Sequence, residues 1–394
     1  MTEAIPLSRP DISDREIRAV VETLKSGRLS LGPKAPQFEK MVAERAGRMH
    51  GVAVSSGTAG LHLALMALGV GPGDEVITPA FSFVASANCI LHSGATPVFV
   101  DCDPKSQNVC AAEVEKKITD RTKAIIAVEV FGNPAGIDEI EQLALRYEIP
   151  LIEDCAESLG CSLAGRPAGS FGRVGVFSFY PNKQVTTAEG GVIVTDDDHL
   201  AGLCRSMRNH GRPDLVEQGP GLGTWLVHER LGWNYRLSDL HAALGVAQME
   251  RFDEIIEMRQ RVAAVYTRTL AGNTNLILPT IGDDTVMSWY VYVVRLSAEF
   301  SQLERDEIIA GLRRHDIGAS NYFPPIPLMP FYRKVFGYKP GGFPCAESVS
   351  QRTIALPFFN SLTDNEIDLV CQTLDVMIQR VMFTRGALRP GRGA

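Results

Sequence analysis

The sequence predicts an α/β fold: a large domain with a mainly parallel, mixed sheet flanked by helices, plus a smaller C-terminal α+β domain. Three observations predict it. Short apolar runs rich in Val and Ile alternate with helical stretches between about residues 50 and 200, the pattern of a mainly parallel sheet covered on both faces. Near residue 255 the character changes to one alternating run and two amphipathic helical patterns. The chain has 394 residues, more than a single core normally covers, so a second domain is expected. The expected bounds are 1–254 and 255–385, with 386–394 a disordered tail that lacks any apolar pattern.

The elements follow in order. Ser13 and Glu16 stand at capping-box spacing, Ile17, Val20, Val21 and Leu24 recur at helical intervals, and Gly27 sits where a C-terminal cap belongs. A second helix is expected at about 37–46. "GVAVSS" reads as a strand and "TAGLHLALMALG" as a helix with Leu61, Leu65 and Leu68 on one side. "DEVITPA", "TPVFVDCD", "TKAIIAVEVFG", "IPLIEDC", "VGVFSFY" and "GGVIVTDD" supply further strands, with a helix over 137–147 among them. The Gly-rich "GPGLGTW" reads as irregular, and one long helical pattern starts near Ser238 and runs past Arg259. In the smaller domain "SWYVYVVRL" alternates like a half-exposed strand. "SQLERDEIIAGLRRH" and "TDNEIDLVCQTLDVMIQRV" are its helices.

Composition narrows the function. Hydrophobic content of 45% and charged content of 22% are those of an ordinary globular protein. A net charge of −7 without a dense Lys/Arg run argues against a nucleic-acid partner. No stretch reaches the length of a membrane span, and "MTEAIPLSRPDIS" has no apolar leader core. The eight cysteines, at 89, 102, 110, 155, 161, 204, 345 and 371, form no CxxC pair. They read as reduced thiols, and the expected location is the cytoplasm.

Open parallel sheets bind ligands beyond the carboxyl ends of their strands, and three stretches fall there. "SSGTAG" at 55–60 leads straight into a helix whose free N–H groups favour an anion, although the same residues are ordinary helix caps. Asp154, ending "LIED", suits a protonated heteroaromatic nitrogen or a helix cap, and Glu153 beside it reads as solvated. Lys183, in "SFYPNKQVTTAEGG", has no acidic neighbour in that stretch before Glu189, and Ser178 lies five residues earlier. A lysine so placed can form a Schiff base with an aldehyde cofactor, though most lysines do not. Together the three match the needs of pyridoxal 5'-phosphate: an amine, a phosphate cup and an acidic partner for the pyridine nitrogen. Phe83 would cover the ring, while Phe81 reads as a core aromatic. No metal site is expected, since "DDDH" at 196–199 is better explained as a solvated turn.

These stretches, with "SGRLSLGPKAPQFE", "VFGNPAGIDEI", "RNHG", "LGWNYRLSDLHAALGVAQ" and "ALPFFNSLTDNEIDLV", resemble the DegT/StrS sugar aminotransferases, a family of fold-type I pyridoxal-phosphate enzymes. The resemblance covers nearly the whole chain. It implies that Lys183 is the catalytic residue, binding the cofactor covalently and then serving as general acid/base. Asp154 would pair with the pyridinium nitrogen, and Thr58, Ala59 and Ser178 would hold the phosphate. Phe83 would stack on the ring. Glu157 occupies a position near the ring oxygen that is often Gln in the family. A homodimer with shared sites is implied, Asn234 reaching the neighbouring subunit's phosphate.

The implied reaction moves an amino group from glutamate to a keto-sugar, a nucleotide-linked 4-keto- or 3-keto-6-deoxy hexose, within polysaccharide biosynthesis. Lys183 stands where dehydratase relatives carry His, which favours transamination. "PPIPLMPFY" departs from a "PPIHLQPFY"-like loop: Pro327 replaces a His and Met329 a Gln, so the substrate's distal half is bound differently or is not a nucleotide. Substrate contacts are expected from "SGRLSLGP" and "SNYFPPIPLMP", and a positive field from Arg208, Arg212 and Arg236. The alternatives are a dehydratase, an aminotransferase acting on a non-sugar ketone, and a non-catalytic regulatory protein of the same fold.

Overall fold

The computed structural model describes residues 4–213 and 227–387; "GPGLGTW" and the tail from residue 388 lie outside them. Nine strands precede the long helices: β1 (His50–Val54), β2 (Glu75–Pro79), β3 (Thr96–Val100), β4 (Thr122–Val128), β5 (Leu151–Asp154), β6 (Ser162–Leu163), β7 (Arg166–Pro167), β8 (Val174–Ser178) and β9 (Gly191–Thr195). All but β6 and β7 form one sheet in the order β1-β9-β8-β5-β4-β2-β3. Only β9 runs against its neighbours, antiparallel to both β1 and β8; the pairs β8-β5, β5-β4, β4-β2 and β2-β3 are parallel. The sheet is therefore mixed and mainly parallel, as the continuous apolar runs predicted.

Seven helices accompany it: α1 (Asp14–Ser26), α2 (Lys34–Arg45), α3 (Gly57–Ala67), α4 (Ala85–His92), α5 (Ala111–Glu115), α6 (Ile137–Arg146) and α7 (Asp198–Met207). Alternate residues of each strand face opposite layers. Val76, Ala124, Ile126 and Ile152 pack with Leu61, Leu65 and Ile90 of α3 and α4. Ile77, Ile125, Ala127 and Leu151 pack with Ile140 and Leu143 of α6. On β5 this alternation sends Glu153 to the α6 layer and Asp154 to the α3–α4 layer.

α1 has the expected ends: the Ser13–Glu16 capping box is formed, and Gly27 closes the helix at φ 71°. Its apolar stripe does not face the core of its own chain. Ile17, Val21 and Leu24 are exposed while Glu16 and Thr23 are buried. The long pattern after Ser238 is two helices, α8 (Asp239–Met249) and α9 (Phe252–Leu270). They part at Arg251, which leaves helical geometry and places its guanidinium on Asp11, Glu16 and Glu254.

The second region holds β10 (Leu276–Ile277), β11 (Thr285–Val286), β12 (Tyr292–Leu296) and β13 (Thr353–Leu356), with α10 (Gln302–Arg314), α11 (Pro330–Phe336), α12 (Pro344–Ser350) and α13 (Asp364–Ala387). β12 lies between β10 and β13 in an antiparallel sheet. It is not half-exposed. Tyr292, Val294 and Leu296 pack against α9, α10 and α13, and Val291 and Val293 join the core of the large sheet's α3–α4 layer. An alternating pattern reports two faces; here the second face meets protein. The N-terminal segment also reaches this region, Ile5 bridging to Ile317.

Candidate active site

The ends of β5 and β8 and the start of α3 converge on a cleft of about 400 Å³. Lys183, Asp154, Glu157, Ser178, Thr58 and Phe83 all line it. Six residues separated by up to 125 positions in the sequence thus meet because parallel strands put their carboxyl ends side by side.

Lys183 follows β8 in a turn closed by its own N–H to the Tyr180 carbonyl, 2.9 Å. Its side chain is only 11% exposed, and Nζ lies 3.9 Å from the ring centroid of Tyr290 and 3.8 Å from Glu157 Oε1. Burial pulls its pKa down; Glu157 and Asp154 oppose that, and the Arg259 guanidinium adds to it. The net direction is downward from the ordinary lysine value, so the amine gives up its proton more readily than a surface lysine. Lys116 is the internal control: it is fully exposed and Glu113 raises its pKa. Brief acylation of the cofactor-free protein, read by peptide mass spectrometry across pH 7 to 11 and scaled for each lysine to its own high-pH plateau, should therefore label Lys183 at lower pH than Lys116. Parallel pH curves for the two lysines would refute the shift.

Asp154 is buried, and its Oδ2 accepts from Ser86 Oγ at 2.7 Å while Oδ1 accepts from the Ala156 N–H at 3.2 Å. Burial raises its pKa, against the lowering effects of these bonds and of Lys183. Glu157 is also buried and pushed up by desolvation; its Oε2 takes the Phe131 N–H at 2.7 Å. Phe131 stands at φ 59°, the left-handed turn that aims this N–H back at Glu157. Glu153 is not solvated. It is fully buried and accepts the N–H groups of Gly169, Phe171 and Gly172 at 2.9, 2.7 and 2.5 Å.

At the start of α3, Ser56 is the N-cap and its Oγ takes the Ala59 N–H at 3.1 Å. Helix geometry leaves the N–H groups of Gly57 and Thr58 without an intrahelical acceptor, facing the hydroxyl-bearing end of β8. Gly57 makes the approach possible, because a Cβ there would lie 2.9 Å from Ser178 Cβ. Phe83 is 60% exposed with its ring in the cleft, whereas Phe81 is fully buried.

Sequence reasoning missed Tyr290 and did not single out Asn182, which also line the cleft; Ser56, Gly57, Tyr322 and Phe323 line it too and were expected only as parts of longer stretches. Ser56 and Gly57 carried a signal, the N-cap spacing before an apolar helix. Tyr290 had none, since it comes from the other region of the chain. Of the two expected substrate stretches, Tyr322 and Phe323 reach the cleft and none of residues 26–33 is among its lining. Pro327 is buried. Asn234 is exposed and lies outside the cleft of its own chain. Arg208 is committed to Glu39 and the Ala53 carbonyl, and Arg236 to Asn209. Neither they nor Arg212 line the cleft. In "DDDH", Asp196 takes Arg48 and the Met49 N–H, Asp197 caps α7, and Asp198 meets His50.

The model of the DegT/DnrJ/EryC1/StrS aminotransferase family matches residues 10–375. The spore coat polysaccharide biosynthesis protein SpsC of Bacillus subtilis is 39% identical over 94% of this chain and 96% of its own. The putative sugar aminotransferase Spr1654 of Streptococcus pneumoniae, in its PMP form, superimposes with a TM-score of 0.91 at 30% identity, covering 96% of this chain and 100% of that one. Its PLP form gives 0.90 at 29%, covering 96% and 99%. DesV of S. venezuelae, in complex with a ketimine intermediate, gives 0.86 at 32%, covering 96% and 99%.

Proposed function

We propose, for a chain that belongs to the DegT/DnrJ/EryC1/StrS aminotransferase family, that it takes an amino group from glutamate and passes it to the ketone of a nucleotide-linked keto-sugar, a 4-keto- or 3-keto-6-deoxy hexose. The enzyme is a pyridoxal-phosphate-dependent transaminase of the sugar aminotransferase class. What carries the reading is that a lysine with 11% of its side chain exposed and a buried aspartate line one cleft.

The cleft fits the cofactor on its own terms. It holds an amine whose pKa is lowered, a buried acid bonded to Ser86, and the first N–H groups of α3 with the hydroxyls of Thr58 and Ser178 in the same lining. It also offers the exposed ring of Phe83. When bound, the cofactor supplies an aldehyde and an electron-accepting ring. The chain's own residues do the rest. Lys183 would bind the aldehyde carbon and, once released, would carry the transferred proton. An uncharged amine is needed for both tasks. Asp154, held by Ser86, would pair with the ring nitrogen. Thr58, Ala59 and Ser178, with the N–H groups of Gly57 and Thr58, would hold the phosphate. Phe83 would cover the ring, and Glu157 would stand near the ring oxygen.

A sugar acceptor is supported by the polysaccharide role of SpsC and by the aromatic wall of Tyr290, Tyr322 and Phe323. The homodimer with shared sites is supported by the outward apolar stripe of α1. The exposed Asn234, outside its own cleft, stands ready for the neighbouring subunit's phosphate. A cytoplasmic location is supported by eight free thiols; no described helix is long and apolar enough to cross a membrane.

The test is a two-step turnover. Glutamate is added to the cofactor-loaded protein and then removed, and a nucleotide-linked keto-hexose is supplied. The reading expects stoichiometric 2-oxoglutarate in the first step and an amino-sugar in the second. Release of water or ammonia from the sugar in place of amine gain would make it a dehydratase, and an amine formed only from non-sugar ketones would overturn the sugar acceptor.

A further inference from the structure

Three consecutive residues of the lysine turn are gripped by one strap from the other region of the chain. Asn182 Nδ2 donates to the Tyr290 hydroxyl at 2.9 Å. Lys183 Nζ rests 3.9 Å from the centroid of the Tyr290 ring. Gln184 Nε2 donates to Ser288 Oγ at 2.7 Å and to the Glu157 carbonyl at 2.6 Å. The strap, Ser288–Tyr290, enters β12 with Trp289 in the left-handed region at φ 55°. A non-glycine residue persists there only where its surroundings hold it.

What holds it is Arg259 of α9. This arginine is 4% exposed. Its Nε and one terminal nitrogen donate to the Trp289 and Tyr290 carbonyls, both at 2.7 Å, and its other nitrogen donates to Asn360 Oδ1 at 3.0 Å. Among the described residues no carboxylate pairs with it directly; Asp11 is reached only through Asn360 Nδ2, 3.0 Å away. A buried guanidinium spent on two adjacent carbonyls is an expensive way to close a turn, and these two carbonyls belong to the residue beneath the lysine and its neighbour.

We propose that Arg259 is a positioning residue for Lys183: it fixes the backbone of the Ser288–Tyr290 strap, and the strap sets the lysine turn. The inference rests on the reading of Lys183 as the cofactor-binding amine. The charged and titratable groups facing that amine are Glu157, Asp154, Arg259 and Tyr290. Arg259 is the cation among them, so its removal also lets the lysine hold its proton to higher pH.

The test follows cofactor capture by the protein freed of cofactor, by the rate at which the visible band appears after adding pyridoxal phosphate and by the pH midpoint of that band. Arg259→Gln is expected to slow capture about tenfold and to move the midpoint upward, with Arg259→Lys recovering most of both. Thermal melting separates loss of fold from these readouts. Should Arg259→Gln fail to fold, Asn182→Ala, in the cleft lining, and Ser288→Ala, buried behind it, cut the clasp and should slow capture in the same way. Wild-type capture and midpoint in Arg259→Gln, or wild-type capture in both clasp variants, would reduce Arg259 to a structural role and overturn the proposal. A Lys183→Ala protein with the wild-type band would instead overturn the reading of the lysine.

Discussion

Replacing Lys183 by arginine is expected to abolish amino transfer, lowering kcat by about three orders of magnitude or more, and Lys183→Ala should do the same. The arginine variant is the sharper of the two. A guanidinium keeps the positive charge beside Glu157 and Asp154 and keeps the contact with the Tyr290 face, but it cannot shed a proton at any working pH. If charge compensation were the residue's task, the arginine would serve. If an uncharged amine is the task, it fails, and the visible cofactor band fails with it. Glutamate-dependent 2-oxoglutarate formation and the absorption spectrum read this directly. Activity above about a tenth of wild type in Lys183→Arg would remove the lysine from the chemistry. Asp154→Asn belongs to the same experiment: it keeps the size of the side chain, its carbonyl can take the Ala156 N–H and its NH₂ can donate to the Ser86 hydroxyl, which also accepts, while the charge is removed. It should cost activity with little loss of stability.

The neighbouring acid should behave in the opposite way. Glu153→Gln is expected to lower stability by about 2–5 kcal/mol and to leave the cofactor band intact below the melting transition. Both oxygens of Glu153 are occupied by backbone donors from one turn, Gly169, Phe171 and Gly172. Arg48, whose guanidinium lies 4.0 Å away, donates to the Gly169 and Gly172 carbonyls of the same turn. A glutamine must turn an NH₂ toward at least one of those N–H groups, leaving buried donors face to face, and Arg48 keeps only Asp196, 2.7 Å away, as a carboxylate partner. Burial, and after it the neighbouring Glu153, push the pKa of Glu129 well up. The midpoint of urea unfolding decides the matter. A variant as stable as wild type would mean that the turn is held by Arg48 alone, and a lost band at low temperature would mean that Glu153 reaches the cleft after all.

This pair shows where sequence reading stops. Asp154 and Glu153 are adjacent, equally acidic and equally placed at the end of an apolar run. The one-residue alternation of a strand sends one to the cleft and the other to a turn that begins 16 residues later. Nothing local distinguishes a solvated Glu153 from a buried one; the difference is made by backbone donors that come from elsewhere in the chain.

What the sequence determined by itself is whatever short-range physics decides. The capping box and glycine cap of α1, the apolar strands of a covered parallel sheet and the small-residue entry to α3 are all written within a few residues of where they act. So are the strand-end positions of Asp154 and Lys183, and because parallel strands align their carboxyl ends, placing each at a strand end already placed them near one another. Tertiary structure alone decided the rest. It split the helical pattern at Arg251, because three carboxylates from different elements compete for its guanidinium. It turned the apolar stripe of α1 outward and buried both faces of β12, because a periodic pattern says that a face is apolar but not what covers it. And it brought Tyr290, Ser288 and Arg259 behind Lys183 from more than 70 residues away, since contacts across that separation depend on how whole elements pack and leave no trace in the residues that flank the lysine.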